Sequence, residues 1–230
     1  TITVNGTIAD DSAASIALDG GIDAQSLYQV GDGADVRLED GLTIFNGANT
    51  YTGITILGAG AVLQAQDGVG VHTHSKIQFE GGVLQSNGSF TRGVGSDSTQ
   101  VFWNGSGGFA AVGGDLTVSL FGTANSKLTW NTAGFLPTSE SLLFGPSTAT
   151  GSVTLTNDID LGSAGTEAQI SVVPGVDANS VAILSGALSG DAALSLNASG
   201  ENGVLVLTNA SNSYTGGTKI HSGVLRLENA

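Results

Sequence analysis

The chain has 230 residues, of which 36 are glycine and 3 are proline, and it contains neither cysteine nor methionine, so disulfide bonds and thiol chemistry are excluded. It has 6 basic and 20 acidic residues, giving a formal net charge of −14, and such a surface repels phosphate backbones and anionic lipids. We therefore expect no nucleic-acid partner. No apolar run approaches the roughly 18 residues of a spanning helix, so we expect no direct membrane insertion by this chain.

The apolar residues occur in short runs that alternate with period 2 or are continuously apolar, each bounded by Gly, Asn, Asp or Ser. This pattern predicts an all-β chain with many short strands. In chain order, the predicted strands are 2–4, 16–18, 36–38, 42–45, 55–57, 61–64, 76–79, 83–85, 100–103, 116–120, 127–130, 142–144, 153–155, 169–173, 181–184, 194–196, 204–207, 218–220 and 224–227. Asn-Gly pairs, which begin at Asn5, Asn46, Asn87, Asn104 and Asn202, are predicted to supply positive-φ corners between strands.

One segment of the chain occurs twice. Residues 49–65, NTYTGITILGAGAVLQA, match residues 212–227, NSYTGGTKIHSGVLRL, and the match continues past the second Gly if one residue is inserted. A gapless alignment of 42–60 on 205–223 pairs Leu42 with Leu205, Asn46 with Asn209, Asn49 with Asn212, Tyr51 with Tyr214, Thr52 with Thr215, Gly53 with Gly216, Thr55 with Thr218 and Gly60 with Gly223. Self-similarity in a unit of roughly 20 residues predicts a solenoid.

The repeated residue types suit a corner of a parallel β-solenoid. Inward apolar side chains stack on the windings above and below, an Asn at a corner can hydrogen-bond a neighbouring winding's backbone, and Gly takes the left-handed conformation of a tight corner. Tyr51 is expected to cover one flank of the corner, and Thr52 and Thr55 favour strand. We therefore interpret the recurrence as architectural, because the same bend is needed twice.

The Asn-Thr-Tyr-Thr-Gly string, followed by Thr, an aliphatic residue and Gly before a Leu-rich strand, resembles the autotransporter-associated β-strand repeat, also called the passenger-associated transport repeat. Residues 90–122 and 128–161 are similar to segments that often link such repeats in long bacterial surface proteins. Two departures are Ile54, where the pattern prefers a second Gly, and the idiosyncratic segment 69–79. The resemblance implies a right-handed parallel β-helix, or β-solenoid, on a secreted protein at the bacterial cell surface.

We expect a single elongated domain over residues 1–230. Its repeat units lie near 42–65 and 205–227, and linking β-helix coils occupy 66–204. Both ends of the chain are strand-like and lack a helical or charged cap. This feature predicts either an excised piece or end-to-end pairing with other copies.

Four residues are weak metal candidates. His72 and His74 project to the same side of a strand and could share Zn²⁺ or Cu²⁺ if Glu80 or Asp67 contributed a further ligand. Asp32 and Asp35 lie in GDGADV, which faintly resembles a calcium turn but occurs once, so a structural Ca²⁺ competes with a plain acidic turn. We expect exposed His side chains, a plain turn, and no cofactor.

No residue constellation points to catalysis, so we predict that the chain is not an enzyme. Ser106 in NGSGG has no His in a recognisable protease context. A polysaccharide lyase or hydrolase would need paired carboxylates, for example Glu80 with Asp97, or a basic cleft that the scattered basic residues do not supply. The predicted function is a rigid stalk segment of an exported, autotransporter-like protein that supports adhesion or display. The alternatives are a head-to-tail extracellular filament subunit, and a β-helix that binds or degrades polysaccharide or binds host or matrix glycans and proteins.

Overall fold

The computed structural model describes residues 1–4, 8, 33, 35–177 and 180–228, together with the backbone of two strands at 16–18 and 25–26. Across these residues the regular secondary structure is almost entirely β-strand. A single turn of 3-10 helix lies at Leu120–Gly122. The strands are β1 (Ile2–Val4), β2 (Ile16–Leu18), β3 (Gln25–Ser26), β4 (Val36–Leu38), β5 (Gly41–Phe45), β6 (Thr55–Gly58), β7 (Ala61–Ala65), β8 (Ile77–Glu80), β9 (Val83–Phe90), β10 (Val101–Trp103), β11 (Gly107–Val118), β12 (Leu128–Thr129), β13 (Ser141–Phe144), β14 (Val153–Leu155), β15 (Ile159–Asp160), β16 (Glu167–Val172), β17 (Ala182–Leu184), β18 (Leu188–Ser189), β19 (Ala193–Leu196), β20 (Val204–Leu207), β21 (Thr218–Ile220) and β22 (Val224–Leu227).

Strands that are not consecutive in sequence pair in parallel, which means that the chain winds around an axis. Strands β4, β6, β8 and β10 follow one another in one sheet, while β5, β7, β9 and β11 follow one another in a second. Among the described strands, only the β2–β3 pairing is antiparallel. The prediction of an all-β parallel β-helix is confirmed.

From strand β11 onward, each winding contributes strands to three ladders of parallel pairs instead of two. Its first part pairs with β13, and its second part pairs with β14. From there one ladder runs through β13, β16, β19 and β21, and another runs through β14, β17, β20 and β22. A third ladder consists of β12, β15 and β18. The three ladders enclose the core.

The core is a set of columns of stacked inward side chains. Strand β7 shows the alternation: Ala61, Leu63 and Ala65 are buried, while Val62 and Gln64 are half-buried. Parallel register places like on like across windings, so that Leu63 pairs with Leu84 and Leu84 pairs with Phe109. A fully buried Leu or Phe stabilises the fold by about 1.5–3 kcal/mol.

Aromatic side chains fill the middle of the chain. The rings of Phe79 and Trp103 lie 4.9 Å apart, and those of Trp103 and Phe135 lie 5.1 Å apart in an edge-to-face contact. The aromatic cluster continues through Phe109 and Trp130. Edge-to-face packing of this kind adds roughly 0.5–1.5 kcal/mol per pair beyond area burial.

Most predicted strands match the structure, but the predicted strand at 116–120 covers only the end of β11. Strand β11 begins with Gly107 and Gly108, although glycine ordinarily weakens strand interiors. A Cβ at Gly108 would lie 2.1 Å from the carbonyl oxygen of Leu143, so the neighbouring winding requires glycine there.

The Asn-Gly prediction is wrong for three of the described pairs. Gly88 has a positive φ of 77°, whereas Gly47, Gly105 and Gly203 do not appear among the positive-φ residues of the described chain. Close packing explains one of them: a Cβ at Gly203 would lie 2.3 Å from the carbonyl oxygen of Val172. The glycine serves the approach of two windings rather than a left-handed corner.

Candidate functional site

The first repeat corner lies between β5 and β6 and is centred on Asn49. This side chain is 3% exposed. Its Oδ1 accepts a hydrogen bond from the backbone N–H of Ile8 at 2.7 Å, and its Nδ2 donates to the carbonyl of Gly70 at 2.7 Å. Asn49 therefore ties its own winding to the windings on both sides.

Tyr51 forms the centre of a buried hydroxyl chain. Its side chain is fully buried, and its hydroxyl lies 2.7 Å from Oγ1 of Thr55. Oγ1 of Thr55 lies 2.8 Å from Oγ of Ser75 in the next winding. Burial raises the pKa of Tyr51 to about 12, because the charged phenolate would be poorly solvated there. Its role is to connect windings, and it cannot stack on a ligand from this position.

Arg92, from a later winding, contacts the segment that covers Tyr51. Its side chain is 5% exposed, and its Nε donates to Oδ1 of Asp67 at 2.9 Å. The guanidinium also donates to the backbone carbonyls of Ser75 and His72. These contacts fix the 67–75 segment over the Tyr51 corner.

The second repeat corner keeps two of these hydrogen bonds and changes the third. Oδ1 of Asn212 accepts from the backbone N–H of Leu188 at 2.8 Å, and the hydroxyl of Tyr214 lies 2.7 Å from Oγ1 of Thr218. Nδ2 of Asn212 donates to the carbonyl of Asn209. Here, however, Tyr214 is half-buried and Thr218 is exposed.

Each repeat copy spans one winding of the β-helix. In the first copy Gly41 pairs with Ala61, and in the second Val204 pairs with Val224, so each first strand meets the third strand 20 residues later. Equivalent strands of the two copies nevertheless lie on different ladders, so the second copy is rotated about the axis of the β-helix by one ladder. The third strand of the first copy, β7, lies on the ladder that reaches β21, which is the second strand of the second copy.

The remaining repeat residues serve the corner geometry. Gly60 and Gly223 have φ values of 81° and 76°, which only glycine adopts readily. Gly216 is needed for close approach, because a Cβ there would lie 2.2 Å from the carbonyl carbon of Ala192. Thr215 donates to Oδ1 of Asp191 at 2.7 Å. In the first copy, Thr52 and Gly53 lie against Gly33.

Two further asparagines also join neighbouring windings by side-chain hydrogen bonds, and the repeat alignment does not include them. Asn157 accepts from the backbone N–H of Leu120 at 2.8 Å, and Asn197 accepts from that of Val172 at 2.7 Å. They are 1% and 0% exposed. Both follow a short apolar strand within two residues, which is the signal in the sequence that could have identified them.

The histidine candidates lie side by side in the turn between β7 and β8, so the prediction that they project from a strand is wrong. The rings of His72 and His74 stack with centroids 5.5 Å apart. Among the described residues, no group of three or more His, Cys, Asp or Glu side chains could hold a metal ion. Asp35 is 5% exposed and accepts from the backbone N–H of Ile54 at 2.6 Å, whereas Asp32 lies outside the described residues.

Glu80, one of the two carboxylates considered for hydrolysis, has structural partners. Burial opposes ionisation of Glu80, but hydrogen bonds from Gln78, Asn104 and Arg37 hold its pKa below the ordinary value. Arg37 lies 2.8 Å from Glu80. Ser106, in the NGSGG string, donates to Oε2 of Glu140 at 2.6 Å and accepts from the N–H of Ser141. These groups connect neighbouring windings.

The geometry of two matching windings agrees with a comparison against known families. The family model described as passenger-associated-transport-repeat matches residues 40–65 and 201–227. The chain therefore carries two passenger-associated transport repeats. Comparisons with curated proteins and with solved structures give no match.

The repeat family points to the passenger domain of an autotransporter and implies an exported, surface-associated protein. Within the described residues, no helix has the length and apolar character of a membrane span.

Proposed function

We propose that the chain is a rigid, non-catalytic stalk segment of a secreted bacterial passenger domain, which holds an adhesive or otherwise displayed region away from the cell surface. The observation that carries the proposal is the parallel pairing of strands from winding to winding, to which buried Asn side chains add hydrogen bonds between neighbouring windings. Each winding adds one nearest-neighbour interface, so a stalk gains length without a new kind of contact.

The polar groups support a spacer role. Glu80 and Ser106 are hydrogen-bonded to residues of neighbouring windings. The buried Tyr51 and Arg92 are likewise occupied by contacts between windings. What repeats in the sequence is the bend that sets the spacing of the windings.

The test removes a whole winding from the protein in the exporting bacterium. Deletion of residues 41–60 removes one register-matched winding, because Gly41 and Ala61 are paired positions. We expect surface immunolabelling of intact cells to persist, with the stalk shortened by about 4.8 Å. Deletion of residues 41–50 is the matched control and is expected to abolish labelling because it breaks the register. Loss of labelling in both deletions would contradict the stalk.

A second candidate function is a head-to-tail filament in which this chain pairs with other copies. It is favoured by apolar side chains on the last described winding: Ile220, Val224 and Leu227 are 52%, 49% and 61% exposed. A contact of this kind would be heterologous and would propagate without closing. Sedimentation velocity at rising concentration tests it. A wild-type chain that stays monomeric, or a Leu227→Lys variant that assembles equally well, would exclude the filament.

A further inference from the structure

A cleft of about 760 Å³ opens on the outside of the β-helix. Its floor is the loop after β15, residues 161–166, and one wall is the segment around Trp130 from the preceding winding. Gly190 and Asp191, from the following winding, form the opposite wall. Three successive windings therefore build one concavity, whose volume lies in the roughly 300–1,000 Å³ range of small-ligand sites.

The wall of the cleft is rich in groups that exchange hydrogen bonds. The hydroxyl-bearing lining residues are Thr129, Thr132, Thr138, Ser139, Ser163 and Thr166. A hydroxyl both donates and accepts, whereas carboxylate oxygens only accept. The cleft thus suits a ligand that carries many hydroxyl groups of its own.

The carboxylates of the cleft are held in place from outside. Oδ2 of Asp160 lies 2.9 Å from Nζ of Lys127, and Oδ1 accepts from the backbone N–H of Gly162 at 3.1 Å. Glu167 pairs with Lys219 of a later winding. Because both acidic groups have a basic partner, the cleft is close to electrically balanced, with Asp191 as the remaining acid of the lining.

Trp130 is part of the hydrophobic core next to the cleft, where its ring packs edge-to-face on Phe135. It lines the cleft and is 5% exposed, and its buried indole N–H has no hydrogen-bond partner among the described residues. Because the indole nitrogen is buried, hydrogen bonds to a ligand would come from the other lining residues.

We propose that this cleft binds a short neutral oligosaccharide. Sugar hydroxyls would donate to the oxygens of Asp160, Glu167 and Asp191 and exchange bonds with the lining hydroxyls. A phosphorylated or uronic-acid ligand is disfavoured, because Asp191 leaves the cleft with a net negative charge and the two lysines are already paired with Asp160 and Glu167. An apolar ligand is disfavoured because it would leave the wall's polar groups unpaired.

The experiment is isothermal titration calorimetry of the purified chain at neutral pH with maltohexaose, cellohexaose, xylohexaose, mannohexaose and hexagalacturonate. At least one neutral hexasaccharide is expected to bind saturably at millimolar concentration, and hexagalacturonate is not. The exposed Ala164 lines the cleft, so Ala164→Arg fills the mouth and is expected to weaken binding by at least about tenfold.

Ala48→Arg is the matched control, because Ala48 is also exposed but lies outside the cleft lining. It should retain the wild-type affinity within about twofold. Circular dichroism checks that each variant is folded, and Ser163→Arg replaces Ala164→Arg if the latter is not. The proposal is overturned if no neutral hexasaccharide binds, if hexagalacturonate binds more tightly, or if the cleft variant and the control bind equally.

Discussion

The two repeat copies share much of their sequence and two corner hydrogen bonds, yet they differ in burial. In both, the Tyr hydroxyl lies 2.7 Å from the Thr four residues later. In the first copy Tyr51, Thr55 and Leu57 are all 0% exposed. In the second copy Ile220, the counterpart of Leu57, is 52% exposed. The repeat encodes a bend, and the neighbouring windings supply the burial.

This difference indicates that the β-helix is stabilised mainly by contacts between neighbouring windings. A repeat contributes little by itself, because its inward side chains are covered only when another winding stacks on them. Equivalent substitutions in the two copies should therefore differ in effect. All of the stability changes below can be measured by urea unfolding followed by tryptophan fluorescence.

The largest effect is expected at Arg92, which holds a later winding over the first copy. Arg92→Met removes a buried partner of Asp67 and orphans the carbonyls of Ser75 and His72, and is expected to destabilise the fold by about 3–5 kcal/mol. The matched change Arg226→Met breaks the exposed pair with Glu228 in the second copy and should cost at most about 1 kcal/mol. Equal losses of stability in the two variants would show that the contacts of Arg92 with Asp67, Ser75 and His72 are dispensable.

Truncation of the inward aliphatic residue gives the next contrast. Leu57→Ala leaves a cavity under two windings and is expected to cost about 2–5 kcal/mol of unfolding free energy. Ile220→Ala, at the equivalent position, should change stability by less than about 0.5 kcal/mol because half of that side chain already meets water. If Ile220→Ala reduced the unfolding free energy as much as Leu57→Ala, the side chain of Ile220 would have to be buried in solution.

Alkaline pH probes the burial of the first copy. Burial raises the pKa of Tyr51 to about 12 from its ordinary 10.0, so the folded state holds this proton more tightly than the unfolded chain. The resulting stabilisation is complete below pH 10 and is lost as the pH rises through 12. Between these limits wild type should lose about 2–3 kcal/mol more than Tyr51→Phe. Parallel stability profiles for the two proteins would contradict a buried phenol.

The smallest contrast concerns the corner asparagines. Asn49→Ala leaves buried backbone groups of Ile8 and Gly70 without partners and is expected to cost about 1–3 kcal/mol. Asn212→Ala removes similar bonds at a half-buried site where water can replace them, so about 1 kcal/mol or less is expected. A larger loss at Asn212 than at Asn49 would reverse the comparison.

Much of the fold was predictable from local pattern. Short apolar runs separated by Gly and Asn gave most strand positions, because inward and outward side chains alternate along a strand whatever lies beside it. The repeated Asn, Tyr and Gly residues identified equivalent bends for the same local reason. Asn157 and Asn197 carry the same signal, an Asn at the end of a short apolar strand, without the surrounding repeat.

The sequence by itself determined that this chain is a β-solenoid with two matching bends and an acidic surface. Only the tertiary structure decided which windings touch. It placed Arg92 over Tyr51, turned the second copy by one ladder relative to the first, and brought Trp130, Asp160 and Asp191 from three windings around one cleft. These contacts join residues tens of positions apart, and their distances depend on how the windings stack rather than on any local preference.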